Sequence, residues 1–304
     1  MTTHTIRIAT RKSDLALWQA NHVAALLREL PEVADVELVP MVTKGDIILD
    51  RALNKVGGKG LFIKELEHAM LESRADIAVH SMKDVPAVMP EGFALASVLE
   101  RADPRDALVG ARLDDIPEGA VVGTSSLRRS SQLARLRPDL DIQPVRGNVN
   151  TRLAKLDAGE YTAIVLACAG LDRLGMSDRI AEALEPETML PAVGQGIVGI
   201  ECRDNQPELK ALLSKLENSH SAQCIAAERE VALALEANCH SPLGVHAIPD
   251  GENLRLRALV TSPNGHEAIA EQATGPATDP EALGRSVAEA MLERGASAII
   301  TGAQ

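Results

Sequence analysis

The chain has 304 residues, 45% hydrophobic and only 1% aromatic, with 31 basic against 43 acidic side chains and a formal net charge of −12. Its length suits two or three domains, and its apolar share suits packed cores rather than disorder. Four rings (Trp18, Phe62, Phe93, Tyr161) are too few for a base-stacking platform, and the acidic excess argues against a nucleic-acid partner.

Cys168, Cys202, Cys224 and Cys239 form no C-x-x-C pair, so neither a zinc site nor a redox motif is expected. Their spacing is not a disulfide framework, which points to reduced thiols in a cytoplasm. The first residues carry no signal-peptide core, and no apolar run spans a bilayer.

In chain order, a short alternating strand over 6–9 is followed by Ser13 at an N-cap position. Leu15, Trp18, His22, Val23, Leu26, Leu27 and Leu30 then recur at helical spacing, and Pro31 lies just past the end. Strands over 36–42, 77–80 and 93–98 and a helix over 64–73 complete a first α/β series. The polar segment 43–60, rich in Gly and Lys, reads as a lid. The proline-broken stretch Glu100-Arg-Ala-Asp-Pro-Arg-Asp106 reads as a crossing into a second lobe.

That lobe is read as strands over 120–122, 142–145 and 163–166, with helices opening near Leu127 and running through Leu153. A second break at Pro191-Ala-Val-Gly-Gln-Gly196 leads to a strand over 197–201, so the chain is expected to return to its first lobe. Two lobes with a cleft follow, with ligands at the carboxyl ends of the strands. From 218 onward a smaller α+β unit is expected: a helix over 222–235, strands over 254–260 and 267–272, and a helix over 280–294. This unit holds five basic and eleven acidic residues, unlike an anion-binding surface.

Positive charge gathers instead in 121–160, where seven basic residues face four acidic ones. Arginine's rigid fork matches carboxylates bidentately. Arg135 and Arg137 read as a solvated, ion-paired helix face. Arg128, Arg129, Arg146 and Arg152 follow strand ends, where a ligand role and an ion-paired face stay equally open. Gly123-Thr-Ser-Ser126 is either an N-cap or an anion cradle, and it lacks P-loop spacing. Lys83 and Asp84 follow the 77–80 strand, as a surface turn or as an acid/base carboxylate beside a cation. A lone cysteine is usually a small buried thiol, but the loop position and Pro/Gly context of Cys239 favour an exposed one.

Taken together, these motifs resemble the porphobilinogen deaminase family. The segments that carry the likeness are Arg7-Ile-Ala-Thr-Arg-Lys-Ser13, Leu15-Ala-Leu-Trp-Gln19, Lys55-Val-Gly-Gly-Lys-Gly-Leu-Phe62 and Ala78-Val-His-Ser-Met-Lys-Asp-Val-Pro86. They continue with Gly123-Thr-Ser-Ser-Leu-Arg-Arg129, Val145-Arg-Gly-Asn148 through Thr151-Arg152, Leu190-Pro-Ala-Val-Gly-Gln-Gly196 and the Cys239-x-x-Pro242-x-Gly244 loop.

The resemblance implies two type II periplasmic-binding-protein-like lobes, domain 1 over 1–99 and 197–216 and domain 2 over 103–192, with a third domain over 218–304. It implies a monomeric, cytoplasmic, metal-free transferase that joins four porphobilinogen molecules head to tail with loss of ammonia. The product, linear hydroxymethylbilane, serves tetrapyrrole (haem) biosynthesis. Cys239 would carry a dipyrromethane cofactor through a thioether, and Asp84 would be the catalytic carboxylate. Ser81, Lys83, Thr124, Ser125, Ser126, Arg128, Arg129, Arg146 and Arg152 would hold cofactor and chain carboxylates. Arg11, Ser13, Gln19 and Gln195 would face substrate, and Lys55, Lys59 and Phe62 would belong to the lid. Where relatives often carry glycine before the cysteine, this chain has Asn238, which tolerates left-handed backbone. A non-catalytic solute-binding protein would share the lobes but give Cys239 no role.

Overall fold

The computed structural model describes residues 4–43 and 63–303. The chain divides into two compact units, one formed by 1–101 with 197–222 and the other by 102–196 with 223–304.

In the first unit, β1 (His4–Arg11) pairs in parallel with β2 (Val33–Met41) and β3 (Ile77–Ser81). β10 (Val198–Arg203) runs antiparallel between β3 and β4 (Phe93–Val98), giving the order β2-β1-β3-β10-β4. Strand alternation sorts the side chains into two cores. Ile6, Ile8, Ile77, Val79, Ile200 and Cys202 share one core with Val23 and Leu27 of α1 (Asp14–Arg28). Ala9, Ala78 and Phe93 share the other with Leu66 and Met70 of α2 (Lys64–Leu71). Ser13 caps α1 as its spacing predicts, its side chain accepting from the Ala16 amide. Such a cap contributes about 1 kcal/mol.

The second unit repeats this plan. β6 (Val121–Gly123) lies between β7 (Asp141–Gln143) and β8 (Ala163–Ala167), all parallel. β5 (Asp106–Val109) runs antiparallel between β8 and β9 (Ile180–Leu184), for the order β7-β6-β8-β5-β9. α3 (Leu127–Leu136) follows β6, α4 (Val149–Asp157) follows β7, and α5 (Cys168–Arg173) follows β8.

The start of β5 corrects the expectation of a crossing running through 106. The charge at Asp106 hides an apolar strand whose four residues are all buried. β9 was also not expected, because Glu182 interrupts its apolar residues, of which only Leu184 is fully buried.

The C-terminal part is a three-stranded antiparallel sheet, β11 (Leu243–Asp250), β12 (Asn253–Thr261) and β13 (Ala268–Pro276). α6 (Pro207–Leu213) and α7 (Ser219–Ala234) precede it, α8 (Pro280–Glu293) packs against β12 and β13, and α9 (Ala296–Gly302) follows. β11 and α9 go beyond the sequence-based expectation. Pro249 and two nearby glycines disguise β11 as loop.

Candidate active site

In the first unit, the sequence-predicted residues gather at the carboxyl ends of β1 and β3. These are neighbouring parallel strands in register through Ile8–Ile77 and Ala9–Ala78. Arg11 ends β1 and Ser81 ends β3. Gln19, buried on α1, donates from Nε2 to Ser81 Oγ at 2.8 Å, joining two of the predicted positions.

Lys83 and Asp84 lie in a single 3-10 turn, Met82–Asp84, with Asp84 exposed. The turn is anchored beneath by Met82, which is 1% exposed and whose amide donates to Ile197 O at 3.0 Å. A Cβ on Gly199 would lie 2.2 Å from Met82 Sδ, so β10 needs glycine there for the turn to seat. Below it, His80 Nε2 and Glu201 Oε2 are 2.7 Å apart, both buried. Lys55, Lys59 and Phe62 lie outside the described residues.

In the second unit, the segments that follow β6 and β7 carry most of the remaining predicted groups. Ser125 Oγ donates to Val145 O at 2.8 Å, Thr124 N to Gln143 O at 2.9 Å, and Ser126 N to Thr124 Oγ1 at 3.2 Å. The Gly123-Thr-Ser-Ser126 turn is thereby laced to the strand that leads into Arg146. Arg152 Nε donates to Gly147 O at 2.8 Å, drawing Arg152 to the Arg146 turn. Gly147 adopts φ +105, and a Cβ there would lie 2.6 Å from Thr151, so this turn requires glycine. Asn148 Oδ1 accepts from Thr151 N at 2.9 Å and caps α4.

Arg128 and Arg129 converge on one carboxylate that sequence reasoning passed over. Arg128 Nη1 donates to Asp106 Oδ2 at 2.6 Å and to Leu190 O at 2.8 Å. Arg129 Nε and Nη2 donate to Asp106 Oδ1 at 2.9 and 2.7 Å, and its Nη1 donates to Val165 O at 2.9 Å. Gln195 Nε2 donates to the same Oδ1 at 2.9 Å.

All four side chains are buried, so two guanidiniums share one carboxylate and a unit of positive charge remains inside. The pKa directions follow from that imbalance. Burial alone would raise Asp106, but Arg128 and Arg129 outweigh it and hold the carboxyl well below the usual range. Burial lowers Arg129, and the like charge of Arg128 adds to the lowering against the pull of Asp106. Arg128 Nε and Gln195 Oε1 are buried with no hydrogen-bond partner among the described residues.

Arg173, also unforeseen, sits on α5 at the same edge and donates from Nη2 to Gly196 O at 2.7 Å. Applying the strand-end argument to β8 as well as to β6 and β7 finds it. Arg137 matches its structural reading, with Nη2 2.6 Å from Asp139 Oδ2.

Of the four cysteines, Cys168, Cys202 and Cys224 are buried and Cys239 is exposed. Burial pushes the Cys168 thiol up to about 12 and the Cys202 thiol up to about 11. Asn238 is not left-handed. Its Oδ1 instead accepts from His240 N at 2.8 Å, and its N donates to Ser241 Oγ at 3.0 Å. Polar side chains thus close the turn, and the left-handed residue nearby is Glu236. Downstream, Gly244 lets β11 approach Leu190, whose carbonyl oxygen would lie 2.8 Å from an added Cβ.

Residues 6–211 match the model of the porphobilinogen deaminase dipyromethane cofactor binding domain, and residues 222–293 match that of the porphobilinogen deaminase C-terminal domain. The chain belongs to the porphobilinogen deaminase family. It is a transferase of tetrapyrrole biosynthesis that converts porphobilinogen to hydroxymethylbilane on a dipyrromethane cofactor. Among solved structures, the VFT2 domain of BvgS from Bordetella pertussis is 15% identical, with 70% of this chain and 86% of that one covered and a TM-score of 0.44. The aliphatic sulphonate binding protein SsuA from Escherichia coli is 12% identical over 77% and 71%, with a TM-score of 0.41. No helix among the described residues is long and apolar enough to cross a membrane.

Proposed function

We propose that the chain works as a monomeric, cytoplasmic hydroxymethylbilane synthase whose dipyrromethane primer is bonded to Cys239. The observation that carries this reading is the contrast among the four cysteines, all within the described residues: Cys239 alone is exposed, and it precedes His240, whose pKa is lowered by burial and then by the charge of Arg146. A reactive thiol needs access and a positive neighbourhood, and the buried thiols lack the access.

The residues also fit the cofactor's charge. Its two pyrroles bring four carboxylates. The second unit offers a surplus buried positive charge at Arg128 and Arg129, an unmet donor at Arg128 Nε, and Arg146, Arg152 and Arg173 along the same strand ends. When bound, the primer supplies the pyrrole carbon to which each new ring is joined.

The chain's own residues then do three things. Arg128, Arg129, Arg146 and Arg152, with Lys83, Ser81, Thr124, Ser125 and Ser126, hold carboxylates of primer and growing chain. Arg11, Ser13, Gln19 and Gln195 orient the incoming porphobilinogen. Asp84 gives a proton to the leaving amino group and, once ionised, stabilises the positive charge on the pyrrole nitrogen. Three functional parts are proposed, over 1–99 with 197–216, over 103–192 and over 218–304. The chain crossings after Arg101 and Gly196 support the division between the first two.

Intact mass followed by peptide mapping tests the assignment. The wild type is expected to carry two pyrrole units on the Cys239 peptide, and Cys239→Ser is expected to fold without them. An adduct on Cys168, Cys202 or Cys224 would overturn it.

A further inference from the structure

A primer bonded to Cys239 and gripped by Arg128 is fixed at two places that stand on different elements. Arg128 is on α3, whereas Cys239 lies in the turn that leads into β11. One residue, Leu190, is contacted from both. Arg128 Nη1 donates to Leu190 O at 2.8 Å. One turn further along α3, the Gln132 carboxamide holds both polar backbone atoms of the same residue. Its Nε2 donates to Leu190 O at 3.1 Å and its Oε1 accepts from Leu190 N at 2.8 Å, the exchange of bonds that a neighbouring strand would make. Arg128, Gln132 and Leu190 are all buried.

β11 meets this residue as well. A Cβ added at Gly244 would lie 2.8 Å from Leu190 O, 3.0 Å from Leu190 Cβ and 3.3 Å from Gln132 Nε2, and Val245 N donates to Pro191 O at 2.9 Å. From Cys239 to Gly244 the chain is tied down: Asn238 N donates to Ser241 Oγ at 3.0 Å, Ser241 N to Asn238 O at 2.9 Å and Thr261 N to Pro242 O at 3.2 Å. A tethered ligand gains from its second contact only when the distance between tether and contact matches its own span.

We propose that Gln132 is a positioning residue for the primer: by holding Leu190 between α3 and β11, it fixes the span from the Cys239 tether to the Arg128 guanidinium, and so sets where the primer presents the carbon to which the next ring is joined. The inference rests on the reading that Cys239 bears the primer and that Arg128 holds one of its carboxylates.

The test uses full-length variants. Gln132→Leu removes both bonds to Leu190 and keeps the bulk, and Gly244→Ala presses on the same residue from β11. Leu133→Val, which removes core volume from the same helix, is the control for lost stability. Intact mass with peptide mapping gives the primed fraction, urea unfolding the stability, and steady-state kinetics kcat per primed molecule and KM for porphobilinogen. Gln132→Leu and Gly244→Ala are each expected to lower kcat per primed molecule about tenfold with KM within about twofold of wild type. The split is expected because Arg11, Ser13 and Gln19, read as substrate contacts, lie in the other unit. Leu133→Val is expected to lower the urea midpoint and leave kcat per primed molecule unchanged. The Leu190 amide is expected to exchange hydrogen at least about tenfold more slowly in primed wild type than in Cys239→Ser, whereas a merely structural tie would exchange alike in both. If the wild-type adduct is on Cys239 and Gln132→Leu keeps wild-type kcat per primed molecule, or Leu133→Val loses as much, or the Leu190 amide exchanges alike with and without primer, the inference fails and the Cys239 reading stands. Should Gln132→Leu not fold, Gly244→Ala decides by the same measure. An adduct elsewhere than Cys239 overturns the reading, and the inference falls with it.

Discussion

Asp106 and Asp84 are both aspartates near strand ends, and their surroundings give them opposite duties. Asp106 is fully buried against Arg128, Arg129 and Gln195, so its charge is consumed in holding side chains. Because its folded pKa is depressed, it contributes stability above the ordinary carboxylate pKa, and that contribution is lost as pH falls through and below that range. Asp106→Asn leaves two buried guanidiniums without their anion. A loss of about 3–5 kcal/mol is expected in denaturant unfolding at neutral pH. The deficit relative to wild type should shrink as the pH is lowered.

Asp84, exposed on its turn, has no such structural burden. Asp84→Asn is expected to fold and to carry primer, with ammonia release slower by about a hundredfold to ten-thousandfold. Asp84→Glu keeps the carboxylate one methylene out of place and should retain more activity than the amide. Equal or faster turnover by the amide at matched primer loading would show that the charge is not what matters.

At the scale of elements, the seat of the turn that carries Asp84 is β3 against β10, with α2 packed behind them. Glu67 of α2 is buried near Glu201 and His80. Burial first, and then the Glu201 charge, raise its pKa, against the opposing pull of His80, His68 and Lys64. A carboxyl whose folded pKa is raised stabilises the fold while protonated, and that stability is lost as pH rises from the ordinary carboxylate range through the raised value. Glu67→Gln should therefore flatten the fall in urea midpoint between about pH 5 and 8 and match or exceed wild type at the upper end. A steeper fall in the variant would mean that the ionised Glu67 is held favourably. The cluster reaches the Met82–Asp84 turn through Glu201 of β10, which touches His80, four residues before Asp84.

Across the whole molecule, the chain leaves its first sheet after β4 and re-enters it as β10, which lies inside the sheet rather than at an edge. β10 pairs with Ser81 through Ile77 on one side and with Val98 through Phe93 on the other. A chain ending at residue 196 therefore loses β4 from its sheet and the support under Met82. Such a truncation is expected to show no protected core in hydrogen exchange for residues 4–101. Protection of β1 and β3 at the level of the full chain would show that the first three strands suffice.

Much of this protein is legible in the linear order of its residues. Alternating strands and helical spacing give the α/β plan, because burying one face of each element demands those periods. Motifs lying at strand ends give the candidate arginines and Asp84, because backbone turns and charged side chains sit next to one another there, and a Pro/Gly loop gives Cys239. Other features needed the folded chain. β5 was hidden because its first residue is a charge, and a charge is compatible with a central strand only when partners 22 and 23 residues away meet it. The inward turn of Arg128 and Arg129 to Asp106 was also beyond sequence. The exposure of Cys239 was legible in its Pro/Gly loop, whereas the burial of the other three thiols was decided by packing. Local pattern records which face of an element is apolar. Which distant group supplies a buried charge with its counter-charge is settled only when the chain closes on itself.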